Sequence, residues 1–281
     1  MRFSPSPDSP SKPPVKSSES TSPRVHAHDR WIEHPHGRIH ARRWSPEQAT
    51  DLAPIVMLHD SLGSVALWRT LPAELSRATA REVVAYDRLG FGKSDPRVGR
   101  PGRGFVGEEA TDVLPVLREQ LRIGKFVAFG HSVGGGMAIH AAAAWPADCV
   151  ALVTIAAQVF AEERTLEGIR AAQVLFEDPA QVERLAKYHG DKARWVLDAW
   201  LETWLSPEFA AWSLTEVLPR VSCSVLAIHG AEDEYGSARH PELIGERAGG
   251  SAQVELLEGT GHMPHRERAS QVVELAADWL R

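Results

Sequence analysis

The stretch VAFGHSVGGGMAIHAAAA, residues 127–144, runs from an apolar segment through a single serine into glycine and alanine. The first part suits a strand covered on both faces, and the last suits a compact helix able to pack closely on a sheet. Between them Gly130-His131-Ser132-Val133-Gly134 fits G-x-S-x-G in the strand–turn–helix setting which that motif requires. A sharp turn lifts Ser132 Oγ clear of the sheet, and glycine at both ends lets neighbouring backbone come close. The helix start places the Val133 N–H near any negative charge that develops there. The plainer alternative is an N-capping serine at a glycine-rich helix start. His131, next to the serine, is expected to pack in the turn beside the pocket rather than to act as a base.

Outward from this stretch the pattern repeats. Short apolar runs at 54–59, 82–87, 149–157 and 224–230, and a weaker one at 253–259, read as strands. Between them lie helical spacings: Leu67, Leu71 and Leu75; Val113, Leu114, Leu117 and Leu121; Val272, Leu275 and Trp279. Strands alternating with helices predict an α/β fold, a mostly parallel sheet with helices on both faces. Residues 31–44, WIEHPHGRIHARRW, read as a hairpin turning at Gly37. The interval 159–220 breaks the alternation with helical segments that carry Trp195, Trp200, Trp204 and Trp212. Leu197, Trp200, Leu201 and Trp204 make an apolar helical stripe. Trp200 and Trp204 are expected to hold these helices on the sheet, and one or two of the four tryptophans to line a pocket.

A nucleophilic serine needs a base, and the base needs an orienting carboxylate. Asp233 follows the run ending at Gly230, and His262 follows the last strand-like run, so the chain order is Ser132, Asp233, His262. Glu232 and Glu234 flank the aspartate and read as solvated loop charges. His265 competes with His262 but follows Pro264, at the start of the final helix.

Together LHDSLGS (58–64), YDRLGFGKSD (86–95), GHSVGG (130–135), HGAED (229–233) and GTGHMPH (259–265) resemble the α/β-hydrolase superfamily over about residues 30–281. The resemblance implies an eight-stranded, mostly parallel sheet, with core residues 25–158 and 221–281. It implies a helical lid, 159–220, inserted after the sixth core strand. It assigns Ser132, Asp233 and His262 as a triad and the amides of Ser61 and Val133 as an oxyanion hole. It implies a serine hydrolase acting on a small or medium carboxylic ester or lactone. The alternatives are C–C hydrolysis of a vinylogous diketone and a ligand receptor of the same fold. Dehalogenases and epoxide hydrolases of this fold use an aspartate nucleophile, and Ser132 argues against both. The family's His-Gly-x-x-G loop reads His59-Asp60 here, which brings a carboxylate towards a site that stabilises an oxyanion. Asp60 either turns away onto loop amides or shapes substrate choice against acids.

Composition narrows the rest. The chain has 281 residues, a net charge of -6 and no basic stripe, so nucleic-acid binding has little support. No apolar run approaches a membrane span. Residues 1–24 are rich in serine and proline and read as a disordered tail without a secretory apolar core, so a cytoplasmic location is the expectation. Cys149 and Cys223 read as free thiols. Gly92-Lys93-Ser94 lacks the earlier glycine of a phosphate loop, because position 87 is Asp87, and GRGFVG (102–107) follows no strand. The 13 histidines include no metal-binding spacing, and His34, His36 and His40 read as surface residues. No cofactor or metal is expected, and nothing in the sequence sets an oligomeric state.

Overall fold

The computed structural model describes residues 24–48 and 50–281. Most of the expected tail, 1–23, therefore lies outside the described residues. Eight strands form one sheet: β1 (Val25–His34), β2 (Gly37–Pro46), β3 (Ile55–Leu58), β4 (Val83–Tyr86), β5 (Phe126–His131), β6 (Cys149–Ile155), β7 (Ser224–Gly230) and β8 (Ala252–Leu257). Their order is β1-β2-β4-β3-β5-β6-β7-β8. The β1–β2 hairpin and the β2–β4 pair are antiparallel, and every other pair is parallel.

The continuous apolar runs follow from burial on both faces. Val56, Leu58, Val84, Tyr86 and Ala128 point into one core layer; Ile55, Met57, Val83, Ala85 and Val127 point into the other. Parallel strands need crossovers, and the crossover helices cover those faces. The chain supplies α1 (Leu71–Thr79), the short α2 (Phe105–Glu108), α3 (Leu114–Leu121) and α4 (Val133–Ala144). After β7 come α8 (Arg239–Arg247), α9 (Pro264–Glu267) and α10 (Ala269–Trp279). Helices α1 and α10 share the second layer; α4 lies on the other, against β3, β5 and β6.

Between β6 and β7 run α5 (Glu163–Leu175), α6 (Pro179–His189) and α7 (Ala193–Trp204), followed by short turns up to Arg220. Trp204 is fully buried here, with its ring 4.9 Å from Phe209 and 5.5 Å from Trp212. Trp195 faces the turn after β4, its ring 5.7 Å from that of Phe91.

One surface expectation fails. His40 is buried, and its Nδ1 lies 2.8 Å from Asp87 Oδ2. The same carboxylate accepts from Val65 N at 2.7 Å and Lys93 N at 3.0 Å. Asp87, the residue that breaks the phosphate-loop pattern, thus joins β2 to the loops after β3 and β4. Cys149 and Cys223 are free thiols with their sulfurs 4.0 Å apart.

Trp204→Ala leaves a cavity in this buried aromatic cluster. The expected loss is about 3–5 kcal/mol, read as a lowered urea midpoint.

Candidate active site

Ser132 sits at φ 55°, ψ −126° between β5 and α4, a conformation that side-chain-bearing residues rarely adopt. Its hydroxyl caps nothing in α4, which removes the N-cap explanation for the serine. Instead Oγ donates to Gln158 Oε1 at 3.4 Å. The turn is held from below by Ser132 N on Ile155 O at 2.9 Å. Gly134 packs directly on the carbonyls of Leu58 and His59, where any Cβ would collide with backbone. That contact presses the start of α4 against the loop after β3. Val133 opens the helix, so its N–H has no partner within it.

The two other expected residues arrive from the ends of β7 and β8. Asp233 is fully buried, and its Oδ1 accepts from Tyr235 N at 2.7 Å and Gly236 N at 3.0 Å. His262 Nδ1 lies 2.9 Å from both carboxylate oxygens. The loops that carry them are joined by Glu232 N on Thr260 O at 2.9 Å. Burial works against the charge on Asp233, but the His262 bond and ring and the loop amides outweigh it and hold the carboxyl below the ordinary range. Burial likewise works against protonating His262; the Asp233 hydrogen bond and charge outweigh it and raise this imidazole above its usual value. Since Nδ1–H donates to Asp233, Nε2 is the basic nitrogen.

Ser132 and His262 line one cavity of about 250 Å³. Asp60, Ser61 and Leu62 form one side, and Gln158, Glu234 and Tyr235 another. Ile169 of α5, Trp200 of α7 and Met263 complete the wall. Two expected pocket residues are absent from it. Trp204 belongs to the buried aromatic cluster. His131 turns into the core, where Nε2–H donates to His262 O at 2.9 Å and the ring packs 4.5 Å from that of His265. Burial pushes the His131 imidazole down to about 4, so it is neutral and acts through the backbone that carries His262.

Glu234, read as a solvated loop charge, reaches His262: its Oε2 accepts from His262 N at 3.1 Å. Gln158, just after β6, was not singled out in the sequence, where nothing but its place after a strand distinguishes it. His59 is buried, and desolvation together with Arg88 pushes it down to about 3. Its Nε2 accepts from Arg88 N at 3.2 Å, so Nδ1–H donates to Asp60 O at 2.8 Å and pins the loop backbone.

The sequence model of an alpha/beta hydrolase family matches residues 55–275. A proline iminopeptidase of Lactobacillus delbrueckii subsp. lactis is 24% identical over 271 residues, covering 83% of this chain and 92% of that protein. Two solved structures share the fold. The 2-hydroxy-6-oxo-6-phenylhexa-2,4-dienoate hydrolase of Rhodococcus sp. strain RHA1 has a TM-score of 0.77 at 17% identity, over 91% of this chain and 99% of that one. The enol-lactonase of Burkholderia xenovorans LB400 has a TM-score of 0.67 at 17% identity, over 89% and 99%. These chains are named for a peptidase, a dienoate hydrolase and a lactonase, so their common ground is the architecture and not one substrate. With that architecture present in full and the family model spanning most of the sequence, the chain belongs to the alpha/beta hydrolase family.

Proposed function

We propose that the protein is a serine hydrolase that cleaves a small or medium carboxylic ester or lactone through an acyl-enzyme on Ser132. One observation carries the reading: Ser132 and His262 face the same cavity, and His262 turns its other nitrogen to the buried Asp233. In the reaction Ser132 Oγ leaves Gln158 and passes its proton to His262 Nε2 as it attacks the carbonyl carbon. Asp233 keeps the tautomer and steadies the imidazolium that forms. The amides of Val133 and Ser61 bind the oxyanion; losing one such donor typically costs ~100- to 1,000-fold in rate. His262 then protonates the leaving group, and water, activated by the same nitrogen, releases the acid. Residues 159–220 act as a lid: Ile169 and Trp200 shield the cavity from water, which strengthens the electrostatic interactions inside.

Ser132→Ala is expected to lower kcat/KM on short p-nitrophenyl esters by at least about 10⁴-fold with an unchanged thermal midpoint. Retained turnover in the variant overturns the assignment.

The raised His262 imidazole sets the acid limb of the pH profile. Activity requires neutral Nε2, so it appears as pH rises through a pKa above the ordinary 6.5. Asp233→Asn removes the charge that favours the protonated form. The limb therefore moves to lower pH, on a kcat reduced by roughly 10⁴ through loss of the correct tautomer. A pH series of kcat/KM checks both.

A further inference from the structure

The residue in this cavity with no explanation so far is Asp60. It does not turn onto the loop amides: among the described residues, no donor hydrogen-bonds to either carboxylate oxygen, and the side chain lines the cavity beside Ser61. Its loop is fixed from behind. The backbone carbonyl of Asp60 accepts from His59 Nδ1 at 2.8 Å, Arg88 Nη2 at 2.8 Å and Gly63 N at 3.2 Å. Oδ1 lies over Gly63, which has no Cβ to displace it. Burial would push this carboxyl up, but the basic side chains around it outweigh burial and hold it below the ordinary carboxylate range. The buried histidines His59 and His131 are themselves neutral, which leaves Arg266 and Arg88 as the lasting cations near it.

Arg266 is not in the cavity wall, however, and neither is any lysine or arginine. The wall carries two carboxylates, Asp60 and Glu234, and two aromatic rings, Trp200 and Tyr235, with centroids 6.1 Å apart. Glu234 is engaged with His262 N, whereas Asp60 has its oxygens free. Asp60 is half-buried and open to the cavity, and negative charge beside an oxyanion slows the reaction it borders. A bound cation removes that penalty, and aromatic faces favour it further.

Building on the serine-hydrolase reading above, we propose that Asp60 determines specificity by binding an ammonium group of the substrate, so that the preferred esters are cationic ones. The ammonium supplies the donor that the carboxylate lacks and neutralises it when the oxyanion forms on Ser61 and Val133. The charged ester is thus favoured in kcat/KM, and an anionic one is disfavoured.

The test uses the full chain and esters matched in shape. Ethyl 3-aminopropanoate, ethyl butanoate and monoethyl succinate vary the charge on the acyl side; 3-aminopropyl acetate and butyl acetate vary it on the alcohol side. Ser132→Ala is the blank. The expected result is a cationic-to-neutral kcat/KM ratio of about 10 or more in at least one series, with the succinate ester poorest, and collapse of that ratio towards one in Asp60→Asn. A wild-type ratio below three in both series, or one that Asp60→Asn leaves unchanged, overturns the proposal. Should that variant not fold, wild-type labelling decides. Butylammonium is expected to protect Ser132 from a fluorophosphonate and pentanol not to; equal protection overturns the proposal. Neutral esters cleaved in a Ser132-dependent manner with no cationic preference sink this inference alone. No Ser132-dependent cleavage of any ester sinks the hydrolase reading with it.

Discussion

The contact between Gly134 and the carbonyls of Leu58 and His59 fixes the geometry of everything around the cavity. It brings the first turn of α4 onto the end of β3, two elements that adjoin because β3 and β5 pair in parallel. Ser132 is held at positive φ by this approach and by the sheet bond to Ile155. The two loops that border the serine are therefore parts of one packed junction. A side chain at position 134 would separate them. Asp87 fastens the junction from outside, through Val65 in one loop and Lys93 in the next.

Burial lowers each of the histidines His59, His131, His262 and His265, yet the net shift of His262 is upward because of its partner. His59, His131 and His265 are buried with no carboxylate hydrogen-bonded to the ring, and desolvation lowers all three. They serve as neutral donors, acceptors and packing groups. His262 is buried against an ionised carboxylate and moves upward. The same residue type thus gives a neutral frame around one imidazole held more basic than usual. His131 links the two roles, because its neutral ring donates to the backbone of His262.

Much of this was legible in the sequence. Strand runs buried on both faces leave continuous apolar segments, and G-x-S-x-G marks a turn whose sterics demand glycine. Asp233 and His262 follow strand ends, where loops converge at one edge of a parallel sheet. What the sequence hid depends on partners distant in the chain. His40 looks like a surface residue on a hairpin until Asp87 appears 47 residues later. Trp200 and Trp204 share one apolar stripe on α7, yet one borders the cavity beside Tyr235 and the other packs edge-on against Phe209 and Trp212. Periodicity assigns a face to a helix but not the neighbour that each residue on that face meets. Glu234 was hidden for the same reason, since its partner is a backbone amide 28 residues on.

Asp60 is the point at which local rules and the site conflict. A glycine there would relieve the loop and remove a charge that opposes the oxyanion. The structure instead spends three hydrogen bonds on holding the Asp60 backbone and leaves its carboxylate unpaired. A group that destabilises the empty site persists when it is satisfied in the occupied one. An aspartate retained only for packing would be folded onto the free amides of its own loop. One pointed into the cavity, with Arg266 outside the wall to keep it ionised, is arranged for something that enters from solvent. Water alone can hydrate the carboxylate but leaves its charge facing the oxyanion, whereas a cation on the substrate cancels that charge at the step where it does harm. The cost of Asp60 therefore falls on neutral and anionic substrates, which is how one residue converts a liability of the empty site into discrimination.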